Sequence, residues 1–501
     1  MPVAQETFPE TKRDPQMPMN TSRRDLLKMF ALASGSALAG AVPAIALAAS
    51  ASSSRFVSRR PSPHKRQFTS KAVEAQILRT KAAIGDPELA WLFENCYPNT
   101  LDTTVHTGTL DGKPDTFIVT GDIDAMWMRD SSAQVWPYLP LAPKDPALQK
   151  LFVGLIHRHA RCIAIDPYAN AFMPDPTART NLDWSQTDIT DMRPGVAERK
   201  WEIDSLCYPI RLAHGYWKTT GDTTPFDDDW RTAMHTVLKT FRVQQRKDGP
   251  GPYHFQRNSP RASENPPLDG FGNPGKPVGM IFSMFRPSDD ACLYPLFVPA
   301  NFFAVTSLRQ LAEMSQAIHH DAAFAGECRA LADEVEAALK KYAVTHDEQG
   351  QEIWAYEVDG FGNQLFMDDA NAPSLSSMAY LGAMPMDDAM YRRTRALAWS
   401  HRNPYFFSGS AAEGIGGPHE GLRMIWPMSI IMRAFTTRDA GEIRQCLHWL
   451  KSTHAGTGFM HEAFDQDDPK HFTRSWFAWA NTLFGELIVE LAQHQPALLR
   501  S

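Results

Sequence analysis

The sequence predicts a mainly α-helical chain, an α/α barrel with long loops and a few short strands. Apolar residues recur at three- and four-residue spacing in about a dozen stretches from Ser70 onward, the period of amphipathic helices. Strand-like patches are short and local, such as Thr116-Phe117-Ile118-Val119 and Tyr253-His254-Phe255, and no βαβ alternation builds a parallel sheet. Loops rich in Gly, Pro and Asp at 99–127, 167–198, 246–290, 355–373, 402–422 and 454–474 separate the helices. That rhythm suggests a helix–long loop–helix unit repeated about six times, and loops this long inside a compact domain usually carry function.

The chain opens with an address. Ser22-Arg23-Arg24-Asp25-Leu26-Leu27-Lys28 precedes an almost uncharged run from Met29 to Ala48 that ends in Ala46-Leu47-Ala48. A paired arginine, a weakly apolar h-region and a small-x-small site resemble bacterial twin-arginine export leaders. Cleavage is expected after Ala48, with the twin-arginine translocase as a transient partner and the periplasm or exterior as destination. A membrane anchor is the alternative; the run nears spanning length, but Ala, Gly and Ser make it a poor span, so no stable membrane association is expected after cleavage. Such export carries folded proteins, so the scattered Cys96, Cys162, Cys207, Cys292, Cys328 and Cys446 are expected as buried free thiols; no CxxC or zinc spacing occurs. Residues 49–69, rich in Ser, Arg and Pro, read as a mobile linker, and 70–501 as the folded domain.

At 43% hydrophobic and 21% charged residues, with net charge −7, the 501-residue chain has ordinary globular composition. It shows no basic stripe, so nucleic acid is not expected as a partner. Helices are predicted over 70–84, 87–97, 130–142, 146–164, 199–219, 226–245, 293–317, 320–343, 374–382, 388–400, 424–436, 439–452 and 475–494.

The unusual chemistry sits beside these helices. Gly121-Asp122-Ile123-Asp124-Ala125-Met126-Trp127-Met128-Arg129-Asp130 crowds carboxylates, a fixed cation and an aromatic ring, a mixture suited to a hydroxyl-rich ring; Asp130 could equally cap a helix. Glu202 and Asp204, read as lying inside an apolar helix, cannot share a face at that spacing, so at least one should turn inward or pair internally unless both serve a solvated face. In Arg286-Pro287-Ser288-Asp289-Asp290, Ser288 reads as an N-cap, and repulsion between the adjacent carboxyls should raise the pKa of one. His419-Glu420 and His461-Glu462 lie in Gly-flanked loops, and neither is HExxH. Two carboxyls across a cleft with aromatic platforms are what glycoside hydrolysis needs. No G-x-S-x-G, phosphate loop or metal cluster offers another route.

The words Gly121–Ser131, Arg286-Pro287-Ser288-Asp289-Asp290-Ala291 and Phe459-Met460-His461-Glu462-Ala463-Phe464, with Phe472–Asn481, resemble glycoside hydrolase family 125, over about residues 70–494. The resemblance implies an (α/α)6 barrel and an inverting, metal-independent exo-α-1,6-mannosidase with no cofactor. It implies Glu462 as general base and the Arg-Pro-Ser-Asp-Asp word as source of the general acid, Asp289 first and Asp290 second. For the terminal mannose it points to Asp124, Trp127, Arg129, Asp130, Glu202, Asp204, His419 and Glu420, with Asn371, Arg474 and Trp476 as further candidates. An inverting α-glucosidase of the same barrel and a non-catalytic periplasmic glycan-binding protein are the competing readings. A magnesium enzyme using the Asp-Asp pairs at 289–290, 368–369 and 467–468 lacks the basic patch needed to grip a diphosphate.

Overall fold

The computed structural model describes residues 56–500; the expected leader over 1–48 lies outside the described residues. Among the described residues there are thirteen α-helices: α1 (Lys71–Ala83), α2 (Pro87–Cys96), α3 (Asn99–Thr103), α4 (Met128–Val135), α5 (Pro146–Ile165), α6 (Asp204–Thr220), α7 (Asp228–Gln244), α8 (Val298–Ile318), α9 (Ala322–Tyr342), α10 (Ala389–Ala398), α11 (Pro427–Phe435), α12 (Ala440–Ser452) and α13 (Ala478–His494). The helices form two concentric layers. Inside, α4 packs on α6, α6 on α8, and α11 on α13, which returns to α4 and closes the ring. Outside, α5 lies against α6 and α7, α9 against α8, α12 against α11, and α2 against α13. Every residue of α4 is buried, whereas α7 and α12 bury one stripe each, as an outer helix should.

How the helices begin separates the layers. Outer helices start at side-chain caps: Asp145 accepts from Ala147 and Leu148, Asp227 from Trp230, Asp321 from Phe324 and Asp439 from Glu442. Inner helices follow Trp127, Ile203, Phe297, Trp426 and Phe477, none of which caps with its side chain. Three of these starts are pinned by small antiparallel sheets. Met126–Trp127 pairs with Ala171–Phe172, which pairs with Val196–Glu198; Leu296–Phe297 pairs with Glu357–Val358; and Met424–Ile425 pairs with Ala463–Asp465. A sheet fixes where the chain enters, so a buried helix start needs no solvated cap residue.

Several expectations are corrected. The stretch 374–382 is a run of turns, although it fills the ring position before α11, where the Tyr380 ring meets Phe435 at 5.1 Å. Its backbone is claimed by side chains: Asp368 accepts from Leu375 N at 2.8 Å and Ser376 N at 2.9 Å, and Ser374 and Ser377 exchange N–H···Oγ bonds, the local competition that keeps Ser out of helix interiors. The helix expected over 130–142 is α4 followed by a 3-10 turn over Trp136–Lys144 carrying Pro140 and Pro143. The helix expected from 293 starts at Val298, so Ser288 caps nothing, and the one expected from 199 starts at Asp204, leaving Glu202 in the extended entry. Tyr253–Phe255 forms no strand; only the neighbouring Gln256 bridges, to Ile189. Of the mobile linker expected over 49–69, residues 49–55 lie outside the described residues and 56–69 are tied to the domain. Trp91 Nε1 donates to Val57 O at 2.7 Å, and the buried Arg60 pairs with Asp102 at 2.7 Å and with Glu74. All six cysteines are buried and unbonded.

Candidate active site

The entries to α4, α11 and α13, with Glu198 of the first sheet and the loops around Asp289 and Glu462, line a cavity of about 240 Å³. Arg129, in the first turn of α4, organises one wall. Its Nη1 donates to Glu202 Oε2 at 2.6 Å and Asp204 Oδ2 at 3.1 Å, while Nη2 stands 3.7 Å from Asp289 Oδ1. Glu202 and Asp204 are fully buried and do not line the cavity; both reach Arg129 because Glu202 precedes the helix, so the face argument does not apply.

Asp289 stands on a tight turn closed by the Phe285–Ala291 bridge. Arg286 Nε anchors the turn on Glu357 Oε1 at 2.6 Å, and Glu357 Oε2 receives Leu293 N and Tyr294 N. The turn puts Asp289 at φ 66°, a left-handed conformation that Asp tolerates better than most side chains. Asp289 therefore faces the cavity, whereas Asp290 is buried beneath it, accepting from Ser288 Oγ at 3.1 Å. Lys200 Nζ donates to the Asp289 carbonyl at 2.9 Å and Asn170 Nδ2 to its Oδ1 at 3.3 Å.

Glu462 enters from another wall, immediately before the strand Ala463–Asp465. Arg474 Nε donates to its Oε2 at 2.9 Å, and the other end of that guanidinium bonds Asp122. His461, stacked on Phe472, bonds the Arg474 carbonyl through Nδ1 at 3.0 Å and fixes the loop that carries Arg474. A second cavity of about 540 Å³ shares Ile123, Trp184, Glu462 and Arg474 with the first and adds Asp124 and Glu420.

Electrostatics give the two carboxyls different characters. Burial pushes Asp289 up, but Lys200, Arg129 and a hydrogen bond with Glu202 outweigh it and hold it below the usual carboxylate range. Burial raises Glu202 well above its ordinary value despite Arg129. The two aspartates have different surroundings, Asp289 on the cavity and Asp290 beneath it against Ser288, and the carboxyl that burial raises beside Asp289 is Glu202. Glu462 is raised by burial and by Glu420, against the pull of Arg474 and His419.

Of the residues singled out in the sequence, Trp127, Arg129, Asp130, Asp289, Asn371, His419, Glu462 and Arg474 line the inner cavity, and Asp124 and Glu420 the outer one. Trp476 is half-buried and lines neither; Phe477, Trp479 and Trp426 provide the aromatic wall. Sequence reading missed Trp184, Glu198, Lys200 and Arg257. Glu198 accepts from Arg257 Nη2 at 2.7 Å and from Asn170 Nδ2 at 2.9 Å. The signal was Glu198-Arg199-Lys200, three consecutive charges directly before Trp201, all buried, which no solvated loop requires. Donor atoms of His419, Glu420 and Glu462 lie within 4.8 Å of one another, but a cation there would compete with the Arg474 guanidinium that already compensates Glu462.

The arrangement offers two carboxyls on one cavity, Asp289 beside Arg129 and Glu462 held by Arg474, which is the equipment for acid–base cleavage of a glycosidic bond. Comparison with known proteins agrees. Residues 86–489 match the family model of metal-independent alpha-mannosidases (GH125). The meiotically up-regulated gene 157 protein of Schizosaccharomyces pombe is 41% identical over 461 residues, 89% of this chain and 90% of that one. A metal-independent alpha-mannosidase structure from Streptococcus pneumoniae, in a non-productive complex with alpha-1,6-mannobiose, aligns with a TM-score of 0.81 at 39% identity, covering 86% of this chain and all of the other.

Proposed function

The chain belongs to the metal-independent alpha-mannosidase family GH125, and from that premise we propose that it is an exo-acting, inverting α-1,6-mannosidase. Asp289 and Glu462 reaching one cavity from different elements is the observation that carries this reading. In it, Asp289 passes a proton to the leaving sugar oxygen while Glu462, ionised beside Arg474, takes one from a water attacking the other face of the ring. Arg129, Asp130, Asn371 and His419 would hold the hydroxyls of the terminal mannose over Trp127, and the second cavity, with Asp124 and Glu420, would receive the leaving sugar. The alpha-1,6-mannobiose held by the Streptococcus relative supports this choice of linkage.

The test is proton NMR of the anomeric signals during hydrolysis of α-1,6-mannobiose by the chain from Ala49, with EDTA present. β-Mannose appearing first is the expected result. First release of α-mannose would overturn inversion, and cleavage of α-glucosides alone would overturn the substrate. Binding without turnover would favour a glycan-binding protein.

Export by the twin-arginine route is part of the proposal, supported by Ser22-Arg23-Arg24 and by six unbonded, buried cysteines compatible with folding before translocation. Replacing both Arg23 and Arg24 with Lys is expected to leave the protein in the cytoplasm; unchanged export would overturn the route.

A further inference from the structure

Glu202 has a problem of hydrogen bonding. Its Oε2 receives Arg129 Nη1 at 2.6 Å and Ser205 Oγ at 2.9 Å, yet among the described residues no donor reaches its fully buried Oε1. A buried carboxylate oxygen without a donor is costly. The cost disappears if that oxygen carries a proton and donates it; the acceptor we assign is the Asp289 carboxyl, whose Oδ1 lies 3.7 Å from Nη2 of the same Arg129 guanidinium that holds Glu202 at 2.6 Å. Building on the assignment of Asp289 as the acid, we propose that Glu202 and Asp289 work as one acid: a single proton is shared between them, and Glu202 is the positioning residue that supplies it to Asp289.

The charges facing the pair fit one proton. Arg129 and Asp130 come from α4, Asp204 from the start of α6, Lys200 from the segment before it and His419 from the loop 416–423. Among the described residues Arg129 is the cation that pairs with both members, so it compensates the pair after the proton has gone. In the step itself, the carbon–oxygen bond breaks with its electrons passing to the leaving oxygen, which takes the proton from Asp289. A water oxygen bonds the anomeric carbon as Glu462 takes the water proton. Both members of the pair are then ionised; Glu462 releases its proton to solvent and the pair takes one back.

Glu202→Gln tests this. The amide oxygen keeps Arg129 and Ser205, while the amide N–H fixes Asp289 as a carboxylate. Expected is a fall of about 100-fold in kcat on α-1,6-mannobiose, but less than 10-fold on 2,4-dinitrophenyl α-mannoside, whose leaving group needs no proton. The double variant Glu202→Gln/Asp289→Asn should be no slower on mannobiose than Asp289→Asn alone, as two residues acting through one proton require. Equal losses on both substrates, or additive losses in the double variant, would overturn the shared acid. Ser205→Ala gives a second readout that spares the fold: losing a donor to Glu202 Oε2 should move the alkaline limb of the mannobiose profile to higher pH, and an unmoved limb would overturn the role of Glu202. Failure of the wild-type protein to cleave mannobiose would instead overturn the proposed function.

Discussion

Arg474 holds Glu462 through a single bond from Nε to Oε2 at 2.9 Å, and the same guanidinium reaches across to Asp122. A base must be ionised to accept a proton, yet burial and Glu420 push this one up. Arg474→Met removes the main opposing influence. The acid limb of kcat/KM should therefore move to higher pH, with the greater loss of activity below neutrality. A pH–rate profile checks this, and an unmoved acid limb would show that Arg474 does not set the base.

Arg129 is the buried cation for Glu202 and Asp204, both fully buried. Arg129→Met leaves Asp204 and the single negative charge of the Glu202–Asp289 pair without compensation and should cost about 3–5 kcal/mol, the range for breaking a buried pair. Part of that loss should return on acidification, as the stranded carboxyls take up protons. Thermal unfolding at two pH values measures it; an equal loss at both would argue against stranded charge.

Asp130, also buried, is pushed up to about 6, first by burial and then by Asp289 and Asp204 against Arg129. A folded-state value above the unfolded one means the native state binds the proton more tightly. The resulting stability is full below the unfolded value near 3.8 and lost as pH rises through about 6. Asp130→Asn lacks this dependence. Its stability relative to wild type should therefore improve by on the order of 3 kcal/mol between pH 4 and pH 7. Parallel denaturation curves across that window would refute the assignment.

Trp127 lines the cavity and Trp476, expected beside it as a ring platform, does not. Trp127→Ala should raise KM for mannobiose about 10-fold, the scale of one lost aromatic contact. Trp476→Ala should leave KM within two-fold. A larger effect at Trp476 would mean that the bound state rearranges the loop over 471–477.

The barrel and most of the candidate site were legible in the sequence because they rest on local signals. Three- and four-residue apolar spacing marks a helix wherever it packs, and the thirteen helices among the described residues account for most of the expected spans. Acidic words beside Gly and Trp likewise marked Arg129, Asp289 and Glu462. What failed was local structure decided by side-chain and sheet partners that helical spacing does not reveal. Asp368 and paired serines draw the backbone of 374–382 out of a helix, and sheets fix the inner helix starts where no cap residue advertises them.

By itself the sequence determined the helical class, the ring of long loops and the list of candidate carboxyls. It named Asp289 ahead of Asp290 by resemblance alone, and it gave no sign that Asp289 faces the cavity while Asp290 lies beneath it, nor that Glu202 is held by Arg129. Those depend on a turn held by Glu357, 68 residues beyond Asp289, and on charges brought together from α4, the entry to α6 and the 285–291 turn. Residue type and spacing set propensity, while the state of a buried acid is set by what lies within a few ångströms, and only the closed barrel decides that.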